Sequence, residues 1–113
     1  MSATELDITL LTPFIGAEIN GVDLTCPNAE LIGQIENVLQ QYSVVFFRDQ
    51  PTLSPAEHRN LADTFGPIHV HPAAPQSADH PGVLKIEAGP DTKVAAGNRW
   101  HSDVSCESEP PYV

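Results

Sequence analysis

Hydrophobic and polar residues alternate near the start of the chain, in residues 6–10 (LDITL), and Pro13 then interrupts the pattern. A period of two residues predicts a half-buried strand. A second short strand is expected from Ala17 to Ile19, and the Asn20-Gly21 dipeptide after it predicts a turn. The chain is therefore expected to begin with two short strands.

A helical pattern follows Asn28, which is placed to cap a helix. Six apolar residues then recur at helical spacing, and this stripe is expected to pack against a sheet: Leu31, Ile32, Ile35, Val38, Leu39 and Tyr42. Residues 44–47 (VVFF) form a continuous β-branched and aromatic run. Such a run predicts a strand that is covered on both faces.

Ser54, Pro55 and Glu57 together form a capping box with proline at the first helical position. They predict a second helix from Pro55 to Phe65, which Gly66 would end. Prolines and glycines become frequent beyond Gly66, so loops are expected there around short strands such as Val83 to Glu87. The pattern as a whole predicts a mixed α/β chain with no internal repeat.

The charge of the chain excludes some classes of partner. Fifteen acidic residues against five Lys and Arg give a net charge of -10, which would repel nucleic acid and an anionic membrane surface. Cys26 and Cys106 lie far apart and form no C-x-x-C pair, so neither a zinc knuckle nor a disulfide framework is expected. The amino terminus has no signal-peptide pattern. We therefore expect a cytoplasmic protein.

The candidate chemistry lies at His101 and Asp103. In an extended segment, side chains two residues apart project from the same face, about 6–7 Å apart along the backbone, so both could reach one metal. A His-x-Asp pair completed by a distant histidine is the ligand set of non-haem Fe(II) oxygenases, whereas zinc more often takes four protein ligands. An isolated His-x-Asp is also typical of a surface histidine beside a turn aspartate, and the pair alone leaves both readings open.

Four motifs in the expected order resemble the TauD/TfdA family of dioxygenases. They are PFIGAEINGVDL (residues 13–24), VVFFRDQ (residues 44–50), LADTFG (residues 61–66) and WHSD (residues 100–103), followed by the paired prolines at 110 and 111. The resemblance covers essentially the whole chain. It implies that residues 1–113 are the amino-terminal part of a single dioxygenase domain, truncated after the His-x-Asp motif.

The resemblance implies an Fe(II)- and 2-oxoglutarate-dependent dioxygenase in which His101 and Asp103 are two of three iron ligands. It also implies a mainly β fold with a double-stranded β-helix (jelly-roll, cupin-like) core, to which this portion adds two covering helices. A distal histidine and an arginine that binds 2-oxoglutarate are expected beyond Val113. Trp100 is expected to pack beside the metal site and shield it from water.

His69 and His71 form a second cluster, and an H-x-H pair can itself hold a metal in cupin-like proteins. In taurine-oxidising members, however, the second histidine of a matching G-x-x-H-x-H-P stretch donates to the substrate sulfonate. The resemblance therefore implies that His71 binds substrate and that His69 is structural. Asn98 is a further candidate for substrate binding.

The resemblance implies a small anionic organic substrate together with O2. Taurine-oxidising members carry an aromatic residue where this chain has Ala74 and an asparagine where it has Gly97. Another sulfonate, a sulfate ester or a carboxylate is therefore favoured over taurine. Two alternatives remain open: a non-catalytic cupin-like module that binds a metal or an anion, and a β-rich interaction module. A homo-oligomer of the full-length protein is also left open.

Overall fold

The computed structural model describes residues 5–70, 77–93, 97 and 99–112. The chain divides into two units, one up to Phe65 and one from Gly66 onward. Regular elements occur in the first unit, in the order β1, β2, α1, β3 and α2.

Three strands form one sheet in the order β1-β2-β3. Strand β1 (Asp7–Leu10) pairs antiparallel with β2 (Ala17–Asn20), and β2 pairs parallel with β3 (Val45–Phe46). The two strands predicted at the start of the chain are confirmed. Gly16, at φ 88°, brings the chain into β2 in a conformation that glycine adopts without a steric cost.

Helix α1 (Ala29–Tyr42) follows the sequence pattern closely. The Asn28 side chain accepts a hydrogen bond from the Leu31 N–H at 2.8 Å, so the predicted cap is confirmed. The helix contacts β2 and β3, and the apolar stripe meets the sheet as expected. Six residues form the buried core: Ala17, Ile19, Leu24, Ile32, Ile35 and Val38.

The prediction that β1 is half-buried is wrong, because all four of its residues are exposed. Ile8 and Leu10 lie opposite Ile19 and Ala17 in the register, yet they are 37% and 50% exposed. The reason is the position of α1, which contacts β2 and β3. Among the described residues the helix leaves the edge strand uncovered.

The prediction that residues 44–47 are covered on both faces is also wrong. Only Val45–Phe46 is a strand; Val45 and Phe47 pack against the core, whereas Val44 and Phe46 are 40% and 44% exposed. Strand β3 is a sheet edge, and α1 packs against the face that Val45 shares with Ala17. One face of this run is therefore open in the described chain.

The amide of Gln50 ties the end of β3 to the turn before α1. Its Oε1 accepts from the Leu24 N–H at 3.0 Å, and its Nε2 donates to the Val22 carbonyl at 2.9 Å. One side chain thus satisfies two backbone groups that the sheet and helix leave unpaired.

Helix α2 (Pro55–Asp63) has the predicted capping box but ends two residues earlier than expected. The Ser54 hydroxyl accepts from the Glu57 N–H at 3.3 Å, and Glu57 Oε2 accepts from the Ser54 N–H at 2.7 Å. Phe65 closes the last turn by donating its N–H to the Ala62 carbonyl. Helix ends are the boundaries that sequence patterns place least well.

The predicted strand from Val83 to Glu87 is not formed, and in the second unit the described residues lie in turns, bends and irregular chain. Lys85 and Glu87 form an exposed ion pair at 2.6 Å. A strand requires a partner for its backbone groups, and no described segment pairs with this one. None of the described helices is long and apolar enough to span a membrane.

Candidate metal centre

A glycine turn introduces the segment that carries the predicted metal ligands. Gly97 has φ 80°, a conformation that a residue with a side chain rarely adopts. A Cβ built on Gly97 would lie 3.6 Å from Cε1 of His101, so this turn places its backbone against the imidazole. Residue 97 therefore lies close enough to the ring for a side chain there to contact it.

The side chains of His101 and Asp103 converge although the segment is not a strand. Nε2 of His101 lies 3.1 Å from Oδ1 of Asp103, and the two side chains are 53% and 88% exposed. The expectation that both side chains can reach one point is met. They do so in irregular chain that bends at Asp103, and not in the strand that the spacing had suggested.

A backbone contact fixes the proton on the imidazole of His101. Its Nδ1 lies 2.6 Å from the carbonyl oxygen of Arg99. A carbonyl can only accept, so Nδ1 carries the hydrogen, and in the neutral ring Nε2 carries the lone pair. The contact with the Arg99 carbonyl, reinforced by the negative charge of Asp103, raises the pKa of His101 above its ordinary value.

These groups suit a divalent transition metal. Histidine ligands commonly donate their second ring N–H to a carbonyl, as His101 does to Arg99. Neighbouring ligands of an octahedral metal, each about 2.1 Å from it, lie about 3 Å apart. The 3.1 Å between the His101 and Asp103 atoms is compatible with that spacing. Across the described residues no group of three or more His, Cys, Asp and Glu side chains is placed to hold a metal. Among the described residues, His101 and Asp103 form a pair of candidate ligands and not a complete ligand set.

An open cavity of about 520 Å³ adjoins the pair, and it is lined by Gly97, Arg99, Trp100, His101 and Asp103. The prediction that Trp100 packs beside the site is wrong for this structure, because its side chain is fully exposed. The described residues leave the indole uncovered, so it does not shield the metal ligands from water.

Arg99 is the residue of this cavity that the sequence analysis did not single out. A single arginine forms no motif with other residues, so no sequence pattern marks it as functional. The signal that could have found it is its position directly before the W-H-x-D motif in a chain with only five Lys and Arg residues.

The two predicted substrate-binding residues, His71 and Asn98, lie outside the described residues, as does Ala74. His69 is described and is partly buried. Cys26 and Cys106 are exposed free thiols, which agrees with the expectation of no disulfide.

A protein-family model matches residues 7–113, and its description is "Taurine catabolism dioxygenase TauD, TfdA family". Among curated proteins, an "Alkylsulfatase" of Acinetobacter baylyi is 31% identical over 102 residues, covering 89% of this chain and 31% of the relative. An "Alpha-ketoglutarate-dependent sulfate ester dioxygenase" of Pseudomonas putida is 31% identical over 104 residues, covering 91% of this chain and 34% of the relative.

Similar proteins also occur in a eukaryote and among solved structures. An "Alpha-ketoglutarate-dependent sulfonate dioxygenase" of Saccharomyces cerevisiae is 28% identical, covering 95% of this chain and 28% of the relative. The crystal structure of a taurine dioxygenase from Burkholderia xenovorans superposes with a TM-score of 0.72 at 33% identity, covering 94% of this chain and 37% of that one. The chain spans about a third of the length of the curated relatives it matches.

Proposed function

The chain belongs to the TauD/TfdA family, as its motifs predicted, and from this premise we propose that the full-length protein is an Fe(II)- and 2-oxoglutarate-dependent dioxygenase. The observation that supports this most strongly is the 3.1 Å approach of His101 Nε2 and Asp103 Oδ1 within the matched region. Both atoms are of the kind that non-haem iron binds, and both remain accessible.

In this proposal, His101 and Asp103 hold Fe(II), and a histidine further along the family domain supplies the third ligand. With 2-oxoglutarate and O2 as co-substrates, iron held there would supply the oxidising power to hydroxylate a substrate C–H bond, and succinate and CO2 would be the co-products. The residues of this chain orient the site. The Arg99 carbonyl holds the proton on Nδ1 of His101, so in the neutral ring Nε2, which faces Asp103 Oδ1, keeps the lone pair that a metal would use.

The proposed complete fold is the jelly-roll core expected for the family, with residues 1–113 as the amino-terminal part of one domain. The taurine dioxygenase crystal structure that superposes on 94% of this chain supports it. The described portion is a three-stranded sheet with two helices, one of which covers a sheet face. In a complete jelly roll, further strands would pair with the edge strands β1 and β3, or other segments would cover them.

We propose a small anionic organic substrate, with sulfate esters and sulfonates as the leading classes and a carboxylate as a third. Relatives in Acinetobacter baylyi, Pseudomonas putida and Saccharomyces cerevisiae carry names that refer to these sulfur oxyanions. His71 and Asn98 are the residues that we propose to contact the anionic group. Gly97 in place of asparagine favours substrates other than taurine.

The test is succinate release by the purified full-length protein supplied with Fe(II), 2-oxoglutarate and O2. Hexyl sulfate, hexanesulfonate, hexanoate and taurine are compared as substrates. Turnover should depend on Fe(II), be stimulated by at least one anion, and be lost in His101→Ala and Asp103→Ala. His58→Ala, which removes an exposed histidine from α2, is the matched control and should keep wild-type turnover.

Iron-independent turnover, or full turnover without His101, would reject the proposed function. Binding of metal or anion without any succinate release would instead favour the non-catalytic cupin-like module. His71→Ala should raise KM for the anionic substrate far more than it affects use of 2-oxoglutarate, because we propose that this residue binds substrate and not iron. Loss of iron from that variant would support the H-x-H metal site.

A further inference from the structure

We propose that Arg99 determines specificity for an anionic substrate by supplying the positive charge at the mouth of the cavity beside His101 and Asp103. This inference rests on the proposed function and adds a residue to it. The ligand it would bind is the sulfate, sulfonate or carboxylate group of the organic substrate.

The position of Arg99 is the first support. The residue lines the same cavity as the two predicted iron ligands. It is exposed, so its guanidinium is available to a ligand from solvent. Its backbone is held in place, because the Arg99 carbonyl accepts the hydrogen bond from Nδ1 of His101 at 2.6 Å. The arginine is therefore anchored two residues from the imidazole that would bind iron.

The second support is that most of the other basic residues form ion pairs with carboxylates. The chain has five Lys and Arg residues. Arg48 pairs with Glu18, Arg59 with Asp63, and Lys85 with Glu87. Lys93 forms no ion pair among the described residues either, but it does not line this cavity. Within the described ranges, Arg99 takes part in no ion pair with a carboxylate. A basic residue that lines a cavity and has no carboxylate partner in the protein can pair with an anion from solution.

Electrostatics favours such a residue for an anionic substrate. The chain carries a net charge of -10, and the carboxylate of Asp103 lies in the cavity wall. An approaching sulfate or sulfonate would be repelled by both. A guanidinium offsets this repulsion locally, and its planar array of N–H donors can bind two oxygens of one anion at once. Lysine in its place would keep the charge but lose this paired geometry.

The experiment compares full-length wild type with Arg99→Gln, Arg99→Lys and the matched control Arg59→Gln, which makes the same chemical change on α2 beside Asp63. KM for hexyl sulfate and for 2-oxoglutarate is measured from succinate release. The Kd of hexyl sulfate is measured separately by anaerobic calorimetry on protein loaded with Fe(II) and 2-oxoglutarate. Hexanol serves as the uncharged probe of the same chain length.

Arg99→Gln should raise KM and Kd for hexyl sulfate by about 10-fold, the effect of losing one charged hydrogen-bonding partner. KM for 2-oxoglutarate should change much less, hexanol binding should stay the same, and Arg99→Lys should recover part of the loss. Added salt should weaken hexyl sulfate binding to wild type more than to Arg99→Gln. Arg59→Gln should match wild type throughout.

A larger effect on 2-oxoglutarate than on hexyl sulfate would overturn the inference, because Arg99 would then serve the co-substrate. An equal loss in Arg59→Gln would overturn it too, since net charge alone would explain the result. Wild type that binds none of hexyl sulfate, hexanesulfonate and hexanoate also contradicts it. Absence of succinate from wild type with every substrate rejects the proposed function separately, while the Kd comparison still decides the role of Arg99.

Discussion

Nε2 of His101 lies 3.1 Å from Oδ1 of Asp103, while Nδ1 of the same ring is held by the Arg99 carbonyl at 2.6 Å. Arg99 and Asp103, each two residues from His101, thus contact the two ring nitrogens of one potential metal ligand. None of these three residues contributes to the buried core. Because the site is exposed, its side chains can be replaced with little effect on folding. Metal binding and stability can therefore be tested separately.

Gln50→Ala should lower the free energy of unfolding of the full-length protein. The change removes the hydrogen bonds to the Leu24 N–H and the Val22 carbonyl, each of which contributes about 1 kcal/mol. We expect a loss of about 1–2 kcal/mol in urea unfolding. Gln41→Ala, on the exposed side of α1, is the control and should change stability by less than about 0.5 kcal/mol. Equal stability of the two variants would show that Gln50 does not fix the turn.

The capping box of α2 should make stability depend on acid pH. Hydrogen bonds with Ser54 lower the pKa of Glu57 below its ordinary value of 4.5. Because the folded pKa is the lower one, the stabilisation is complete above the ordinary value and is lost as pH falls through the lowered one. Glu57→Gln keeps an oxygen that can accept from the Ser54 N–H but does not titrate.

We therefore expect the Tm advantage of wild type over Glu57→Gln to shrink as the pH falls below the ordinary glutamate value. The measurement is a series of thermal unfolding curves between neutral pH and the acid range, with both proteins in the same buffers. A Tm difference that stays constant across this range would contradict the role given to the ionised carboxylate.

Gly97→Val should weaken Fe(II) binding more than Gly97→Asn. Residue 97 adopts φ 80°, which strains a β-branched residue by about 1–2 kcal/mol but which asparagine tolerates. A Cβ built on residue 97 would lie 3.6 Å from Cε1 of the His101 ring, so both variants add a contact with the ring there, and they differ in backbone strain and in the atoms beyond Cβ. The readout is the Fe(II) dissociation constant of each full-length variant. Equal constants would show that the Gly97 conformation does not position His101.

The elements that could be predicted from sequence are those set by local rules. The Asn28 cap, the helical stripe through Ile35 and the Ser54 capping box depend on neighbouring residues, and all are present in the structure. Exposure could not be predicted in this way. Whether Ile8 or Phe46 is buried depends on which segment packs over its strand. The local sequence of a strand does not determine which segment that is.

The candidate site was predictable to a similar degree. The spacing of His101 and Asp103 indicated that both could reach one metal, yet their convergence depends on backbone torsions of irregular chain, which a two-residue spacing does not specify. Trp100 was expected to pack and is exposed, because packing needs a partner surface. The roles of His71 and Asn98 stay predictions, since both lie outside the described residues.

The central claim is that His101 and Asp103 hold Fe(II), and the most direct test is anaerobic titration of the full-length protein with Fe(II) in the presence of 2-oxoglutarate. The charge-transfer band of the bound chelate reports the metal site without requiring turnover. Wild type and His58→Ala should develop the band to the same saturation. His101→Ala and Asp103→Ala should fail to develop it while keeping the Tm of wild type. An unchanged band in either of these two variants would contradict the assignment of the iron ligands.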